Sequence, residues 1–216
     1  MKAQWSDWSD WLQDKRQALP QVGVLAELDP VLLASDFAYE ELRRRPELLN
    51  LLVSAPRTLA AFPAADGDLS TQLRCFRRAE SLSILIDDVL GRDSVEQTLE
   101  RTTVLAERCI EVAFDAARAE LVARHGEPRD ENGELQSIVI YGLGKLGSRE
   151  LNFSSDIDLI AAFPRAGETD GRRALDNEDF FARLVQRAST LLGETTAEGF
   201  AYRVDWRLRP FGSAGR

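Results

Sequence analysis

The sequence predicts an α+β protein: a helical N-terminal part followed by a small core of mixed sheet with flanking helices. Three observations predict it. Residues 1–130 place apolar side chains at helical spacing, punctuated by capping and stop signals. Residues 135–216 change to three short β-like runs, separated by a glycine-rich turn and one more helical stretch. The composition is 44% hydrophobic and 29% charged over 216 residues, that of a globular chain long enough to bury a sizeable core.

The helical part reads element by element. Trp5, Trp8 and Trp11 are three apart and form one apolar stripe on a helix. Asp29-Pro30 opens a helical segment that Pro46 stops, and Pro46 can open a further helix from Glu47 to Val53. Arg43, Arg44 and Arg45 precede that stop, where the helix dipole favours cations. Residues 70–90 form a long amphipathic helix with Leu73, Phe76, Leu82, Leu85, Ile86 and Val89 on its apolar side and Gly91 as its stop. Ser94 and Gln97 make a capping box. The helix after it sets Leu105, Cys109, Val112 and Ala116 on one side and runs to about Arg124. His125-Gly126-Glu127-Pro128 breaks it, and residues 129–134, with the turn signal Asn132-Gly133, read as a linker or loop. His125 is the sole histidine and reads as a capping or surface residue, which removes most histidine-based catalysis.

In the second part, Ser137–Tyr141 reads as a buried strand. Asp156–Phe163 and Ala201–Leu208 read as strands with alternating faces. Pro164–Asp176 is a loop rich in Gly and Arg. A helix from about Asn177 to Leu192 turns Phe181, Leu184, Val185, Ala188 and Leu192 inward, with Gly193 as its stop.

A net charge of −9 and a pI near 4.8 argue against a broad nucleic-acid surface. They leave room for a small basic pocket. No apolar run approaches the roughly 20 residues of a membrane helix, and acids stand near the N-terminus where a signal peptide would be apolar. The expected setting is the cytoplasm, with no membrane and no nucleic acid as partners. Cys75 and Cys109 fall in helices and read as free thiols.

Gly142-Leu143-Gly144-Lys145-Leu146-Gly147 follows a strand and matches the dinucleotide-binding pattern G-x-G-x-x-G. Spacing argues against that reading. Only Ser148 to Ser155 separates the last glycine from Asp156, and eight helical residues span about 12 Å, too short for the usual crossover. The acids also open the next strand rather than end it. The alternative is a glycine turn, a short helix and a strand opened by two aspartates. Glycines let the backbone approach a phosphate, and Ser148 adds a hydroxyl donor there.

Asp156-Ile157-Asp158 puts two carboxylates on one face of a strand, with Ile157 and Leu159 on the other. Like charges so close are costly unless a cation lies between them. Hard oxygen donors suit Mg²⁺ or Mn²⁺. In the last β-run, alternation puts Arg203, Asp205, Arg207 and Arg209 on one face and Val204, Trp206 and Leu208 on the other. Asp205 supplies a third carboxylate, and the arginines offer charge to phosphate oxygens. The expected chemistry is in-line displacement at phosphorus with two metal ions, which needs no histidine.

The stretch from Gly142 to Ile160, GLGKLGSRELNFSSDIDLI, resembles the signature of the glutamine synthetase adenylyltransferase/adenylyl-removing family, part of the DNA polymerase β-like nucleotidyltransferase superfamily. Arg203 to Gly212, RVDWRLRPFG, resembles its second block. Gly171-Arg172-Arg173, Leu175-Asp176-Asn177, Phe180-Phe181 and the upstream Leu73-Arg74-Cys75-Phe76-Arg77-Arg78 also fit. The resemblance implies a polymerase β-like core over residues 135–216. It implies Asp156, Asp158 and Asp205 as catalytic metal ligands, and Gly144, Gly147, Ser148, Ser155, Arg207 and Arg209 around nucleotide and phosphate. The implied ligands are two Mg²⁺ or Mn²⁺ ions, ADP or ATP, and inorganic phosphate. The implied partners are glutamine synthetase and the PII signal protein.

Family members carry two similar catalytic halves, one removing AMP from a tyrosine of glutamine synthetase by phosphorolysis and one adding AMP from ATP. Glu150 to Asp156, ELNFSSD, is similar to the removing half. The chain is then expected to be a piece of a longer protein, lacking a downstream helical region. Two alternatives stay open: the adenylylating half or another ATP-using nucleotidyltransferase, and a non-catalytic docking or regulatory module.

Overall fold

Ser35 breaks the first helical segment in two. Its backbone is extended (φ −155°, ψ 121°), and its hydroxyl accepts from the Ala38 amide at 3.3 Å. The single segment expected between Asp29 and Pro46 is therefore α1, Leu28–Ala34, and α2, Asp36–Arg44. Capping chemistry inside the run won over continuous apolar periodicity. Pro46 does open the next element, a 3₁₀ helix over Pro46–Leu52 rather than an α-helix. The computed structural model describes residues 10, 12–19, 27–53, 59–63, 67–153, 156–163 and 165–206. Trp5, Trp8 and Trp11 lie outside them.

The chain divides into two units, residues 1–61 with 78–102 and residues 62–77 with 103–216. Two of the three boundaries fall inside the long helices, α3 (Leu69–Val89) and α4 (Val95–His125). In the first unit Val31, Leu32, Leu42 and Leu52 pack with Leu82 and Ile86 of α3 in one apolar cluster. Glu41 is fully buried there, and its carboxylate accepts from Arg78 Nε at 2.7 Å. Gly91 turns the chain between α3 and α4 at φ +64°, a value that favours glycine. The capping box forms as expected: Ser94 N–H donates to Gln97 Oε1 at 2.8 Å, and Gln97 N–H to Ser94 Oγ at 3.3 Å.

In the second unit α4 buries Leu105, Ala106, Cys109, Ile110, Ala113, Phe114 and Ala117, a wider stripe than the expected one. Val112 and Ala116 sit at its half-buried margin. His125 ends α4 and its Nδ1 lies 2.8 Å from the Arg173 carbonyl, a helix-end role. The residues expected as a loop then form β1, Pro128–Asp130. It pairs antiparallel with β4, Gly167–Thr169, inside the other expected loop. Three-residue strands are too short to show alternation. What builds this ribbon is the Asp130 carboxylate, which accepts from the amides of Asn132 and Glu134 at 2.9 Å and from Arg165 at 3.0 Å.

The main sheet has the order β2-β3-β5, with β2 over Val139–Gly142, β3 over Asp156–Ala162 and β5 over Arg203–Trp206. β2 is antiparallel to β3 and β5 is parallel to it, so the sheet is mixed. Among the described residues β2 lies at the edge of the sheet and is not the buried strand its apolar run suggests: Val139 is 46% and Tyr141 55% exposed. A one-turn helix, α5 (Gly144–Gly147), joins β2 towards β3, and α6 (Asn177–Gly193) precedes β5. α6 buries Phe180, Phe181, Leu184, Ala188, Leu191 and Leu192, while Val185 is half-buried.

Arg74 of α3 is fully buried. Its guanidinium donates to the carbonyls of Gly199 at 2.8 Å and Leu191 at 3.1 Å, and also to those of Ser70 and Glu194. Burial pushes its pKa down, and the charges of Glu194 and Asp68 oppose that. The guanidinium thus closes the C-terminal end of α6, where helix carbonyls lack intrahelical partners.

Two predictions follow from this packing. Arg74→Met leaves these carbonyls without their charged donor and should destabilise the chain by about 3 kcal/mol. A urea midpoint equal to that of the unaltered chain would show that the clamp carries no stability. Neither Cys75 nor Cys109 is in a disulfide, and burial pushes the Cys109 thiol up to about 12. A thiol-reactive dye at pH 8 should therefore label no more than one of the two in the native chain and both in denaturant.

Candidate active site

Backbone alternation on β3 sends Ile157 and Leu159, each 1% exposed, into the core, and Asp156 and Asp158 to the opposite face. The parallel register sets Asp158 beside Asp205 and Asp156 beside Arg203. Adjacent strands lie about 4.8 Å apart, so two carboxylates and one ion pair share this face. Arg203 donates from Nε to Asp156 Oδ1 at 2.6 Å and from Nη2 to Asp156 Oδ2 at 3.1 Å. The guanidinium also lies over the Phe200 ring, 5.5 Å from its centroid.

The far side of β5 is anchored by Trp206. Its indole N–H donates to Ser189 Oγ at 2.9 Å, and its ring meets Phe114 edge-on at 6.4 Å. The start of β5 is fixed by Ala201 and Tyr202, whose amides both donate to the Leu192 carbonyl, at 3.0 and 3.1 Å.

The glycine turn lies against the same carboxylates. Leu143 N–H donates to the Asp158 carbonyl at 2.9 Å. Gly144 has φ +52°, and a Cβ there would stand 3.3 Å from Asp158 Oδ2. Gly142 and Gly147 serve the packing of the turn itself: a Cβ on Gly147 would meet the Gly142 carbonyl oxygen at 2.4 Å. The Ser148 hydroxyl lies 3.2 Å from Glu150 Oε2. Beyond the turn, Arg149 pairs with Glu107 at 2.8 Å, and Leu151, 1% exposed, donates its amide to Thr103 Oγ1 at 3.2 Å. Ser155, Arg207 and Arg209 lie outside the described residues.

The structure brings Asp158, Asp205 and Gly144 together and places Asp156 on the same face, engaged by Arg203. Among the described residues no three Asp, Glu, His or Cys side chains are gathered closely enough to hold a metal ion. Carboxylate oxygens across neighbouring strands are the donors that Mg²⁺ and Mn²⁺ take. Asp158 and Asp205 could hold such an ion beside the space left by Gly144, with Asp156 joining once its pair with Arg203 opens. Sequence reasoning placed Arg203 on this face but missed its pairing. Its position two residues before Asp205 was the only signal, and the strand register supplied the rest. A cavity of about 570 Å³ lies behind the sheet, lined by apolar groups such as Phe114, Leu159, Phe181 and Leu184, and none of the three aspartates borders it.

A family profile described as glutamate-ammonia ligase adenylyltransferase matches residues 25–216. The chain belongs to this family. It is similar to bifunctional glutamine synthetase adenylyltransferase/adenylyl-removing enzymes from several bacteria. The protein of Xanthomonas campestris pv. campestris (strain B100) is 48% identical over 210 residues, covering 93% of this chain and 22% of that protein. That of Stenotrophomonas maltophilia (strain K279a) is 49% identical over 199 residues, covering 88% and 21%. That of Shewanella oneidensis is 40% identical over 222 residues, covering 96% and 23%. The chain thus spans about a fifth of the length of these relatives. In this chain the register sets Asp158 beside Asp205 and Asp156 beside Arg203, and Gly144 of the glycine turn lies against Asp158.

Gly144 yields the prediction for this site. Gly144→Ala strains a left-handed backbone and presses a methyl on Asp158, so it should cost about 1 kcal/mol of stability. It should also weaken Mn²⁺ binding, read by calorimetric titration. Unchanged Mn²⁺ affinity would show that the space beside Asp158 is not used.

Proposed function

We propose that the chain carries the phosphoryl-transfer site of an enzyme that removes AMP from the adenylyl-tyrosine of glutamine synthetase. The observation that carries this reading is the cross-strand register of Asp158 with Asp205, beside Asp156 and against Gly144. Family membership supports glutamine synthetase as the protein substrate. The removing direction is supported by Glu150 to Asp156 and its likeness to the removing half. The family resemblance supports the PII signal protein as regulator, and the acids near the N-terminus support a cytoplasmic setting. No helix among the described residues is long and apolar enough to cross a membrane.

In this reading a phosphate oxygen forms a bond to the AMP phosphorus while the bond from that phosphorus to the tyrosyl oxygen breaks. The tyrosyl oxygen takes up a proton, and AMP leaves as ADP. Two Mg²⁺ or Mn²⁺ ions, when bound, would offset charge on the attacking and leaving oxygens. Asp158 and Asp205 hold their carboxylates across one strand gap, and Asp156 completes the set. Gly144 leaves the turn open to a phosphate. Ser148 and Ser155, with Arg207 and Arg209, are the proposed contacts to nucleotide oxygens. Position and charge do most of the work in such a transfer, so the lack of a histidine on this face costs little.

The test is ADP formation from adenylylated glutamine synthetase, Mg²⁺ and inorganic phosphate. A protein of the relatives' full length carrying these 216 residues should release ADP. Asp158→Asn should slow it by roughly 10³-fold, the scale of losing one electrostatic stabiliser of the transition state. Full activity of Asp158→Asn would sink the site assignment. Loss of pyrophosphate release from ATP in Asp158→Asn, with ADP formation from phosphate intact, would assign these residues to the adding direction instead.

A further inference from the structure

We propose that Arg203 is the internal counter-cation of Asp156. It holds that carboxylate until a divalent cation takes its place, and then turns its guanidinium to the phosphate oxygens of the substrate. The proposal rests on the reading of Asp156, Asp158 and Asp205 as cation ligands.

The geometry carries the argument in four steps. The register puts Arg203 directly beside Asp156 and leaves Asp158 beside Asp205. The fork of Arg203 engages both Asp156 oxygens, at 2.6 and 3.1 Å, so the pair occupies the side of the carboxylate that an ion would use. Both side chains are largely exposed, 66% for Arg203 and 62% for Asp156, so the pair is weak and opens readily. Finally, the guanidinium lies over Phe200, which gives it a resting surface independent of Asp156. A second cation at Asp156 repels the guanidinium. The nearest use for a planar five-donor fork at that point is a phosphoryl group. Loading of the ion and binding of the anion are thereby coupled through one side chain.

The experiment uses the 216-residue chain and needs no turnover. Mn²⁺ is titrated without nucleotide, following free Mn²⁺ by electron paramagnetic resonance. ADP is then titrated calorimetrically at saturating Mn²⁺. Arg203→Gln removes the competitor and should tighten Mn²⁺ by about two- to fivefold, the range of an exposed pair. The same substitution should weaken ADP by about tenfold, the scale of a lost charged donor. Arg203→Lys keeps the charge but loses the fork and should weaken ADP by about threefold, less than Arg203→Gln, with Mn²⁺ affinity unchanged. Circular dichroism checks that each variant is folded, and Arg203→Lys carries the test if Arg203→Gln is not.

A strap that merely ties β5 to β3 would leave both affinities unchanged or weaken Mn²⁺, and either result overturns the proposal. Asp158→Asn separates the two readings. If it abolishes Mn²⁺ binding while Arg203→Gln changes neither affinity, the site stands and the role of Arg203 falls. If it leaves Mn²⁺ binding intact, the site reading falls and the role of Arg203 with it.

Discussion

One buried guanidinium holds the frame on which the carboxylates stand. Arg74 sits in the second unit with no exposed surface, and its donors close the carbonyl end of α6 and the Gly199 turn. A helix end left in the interior without partners would be costly. With it satisfied, the chain leaves α6 in a single direction. The amides of Ala201 and Tyr202 then return to Leu192, and Tyr202, 1% exposed, lies under the Arg77 guanidinium at 5.0 Å. Arg203 begins β5 at the next residue. The register that sets Asp205 beside Asp158 therefore depends on an arginine more than a hundred residues earlier.

This dependence explains what the sequence could show of the site. Alternation alone placed Asp156 with Asp158 and Arg203 with Asp205, because a strand has a period of two whatever surrounds it. It could not show which residue stands beside which, since that comes from α6, Leu192 and Arg74. The pairing of Arg203 with Asp156 was accordingly illegible. The capping box at Ser94 and Gln97 was legible to the atom, because it is local. The split at Ser35 is local too, yet the apolar spacing on both sides masked it. β1 and β4 escaped because three residues carry no period, and their ribbon is built by Asp130 and its turn. β2 misled for the opposite reason: a run of apolar residues reads as interior, while this strand lies at an edge.

The glycine turn was read correctly as something other than a dinucleotide fingerprint, and the structure gives the physical content. Gly142 and Gly147 are small because the turn folds onto itself, and Gly144 is small because Asp158 is next to it. Three glycines at dinucleotide spacing thus meet two separate needs, self-packing and clearance for a carboxylate. Pinning of the following stretch through Leu151 and Thr103 keeps the turn and β3 in step without a crossover helix.

The open edge at β2 also bears on how the protein behaves in bulk. A strand with one flank unpaired among the described residues, and with Val139 and Tyr141 facing outward, is a template on which a second copy could zip. Two features blunt it. The strand is four residues long, too brief to give a firm grip. A net charge of −9 makes every approach of like to like an uphill one at low ionic strength. Colloidal steadiness here is thus partly ionic, and added salt is what would erode that part.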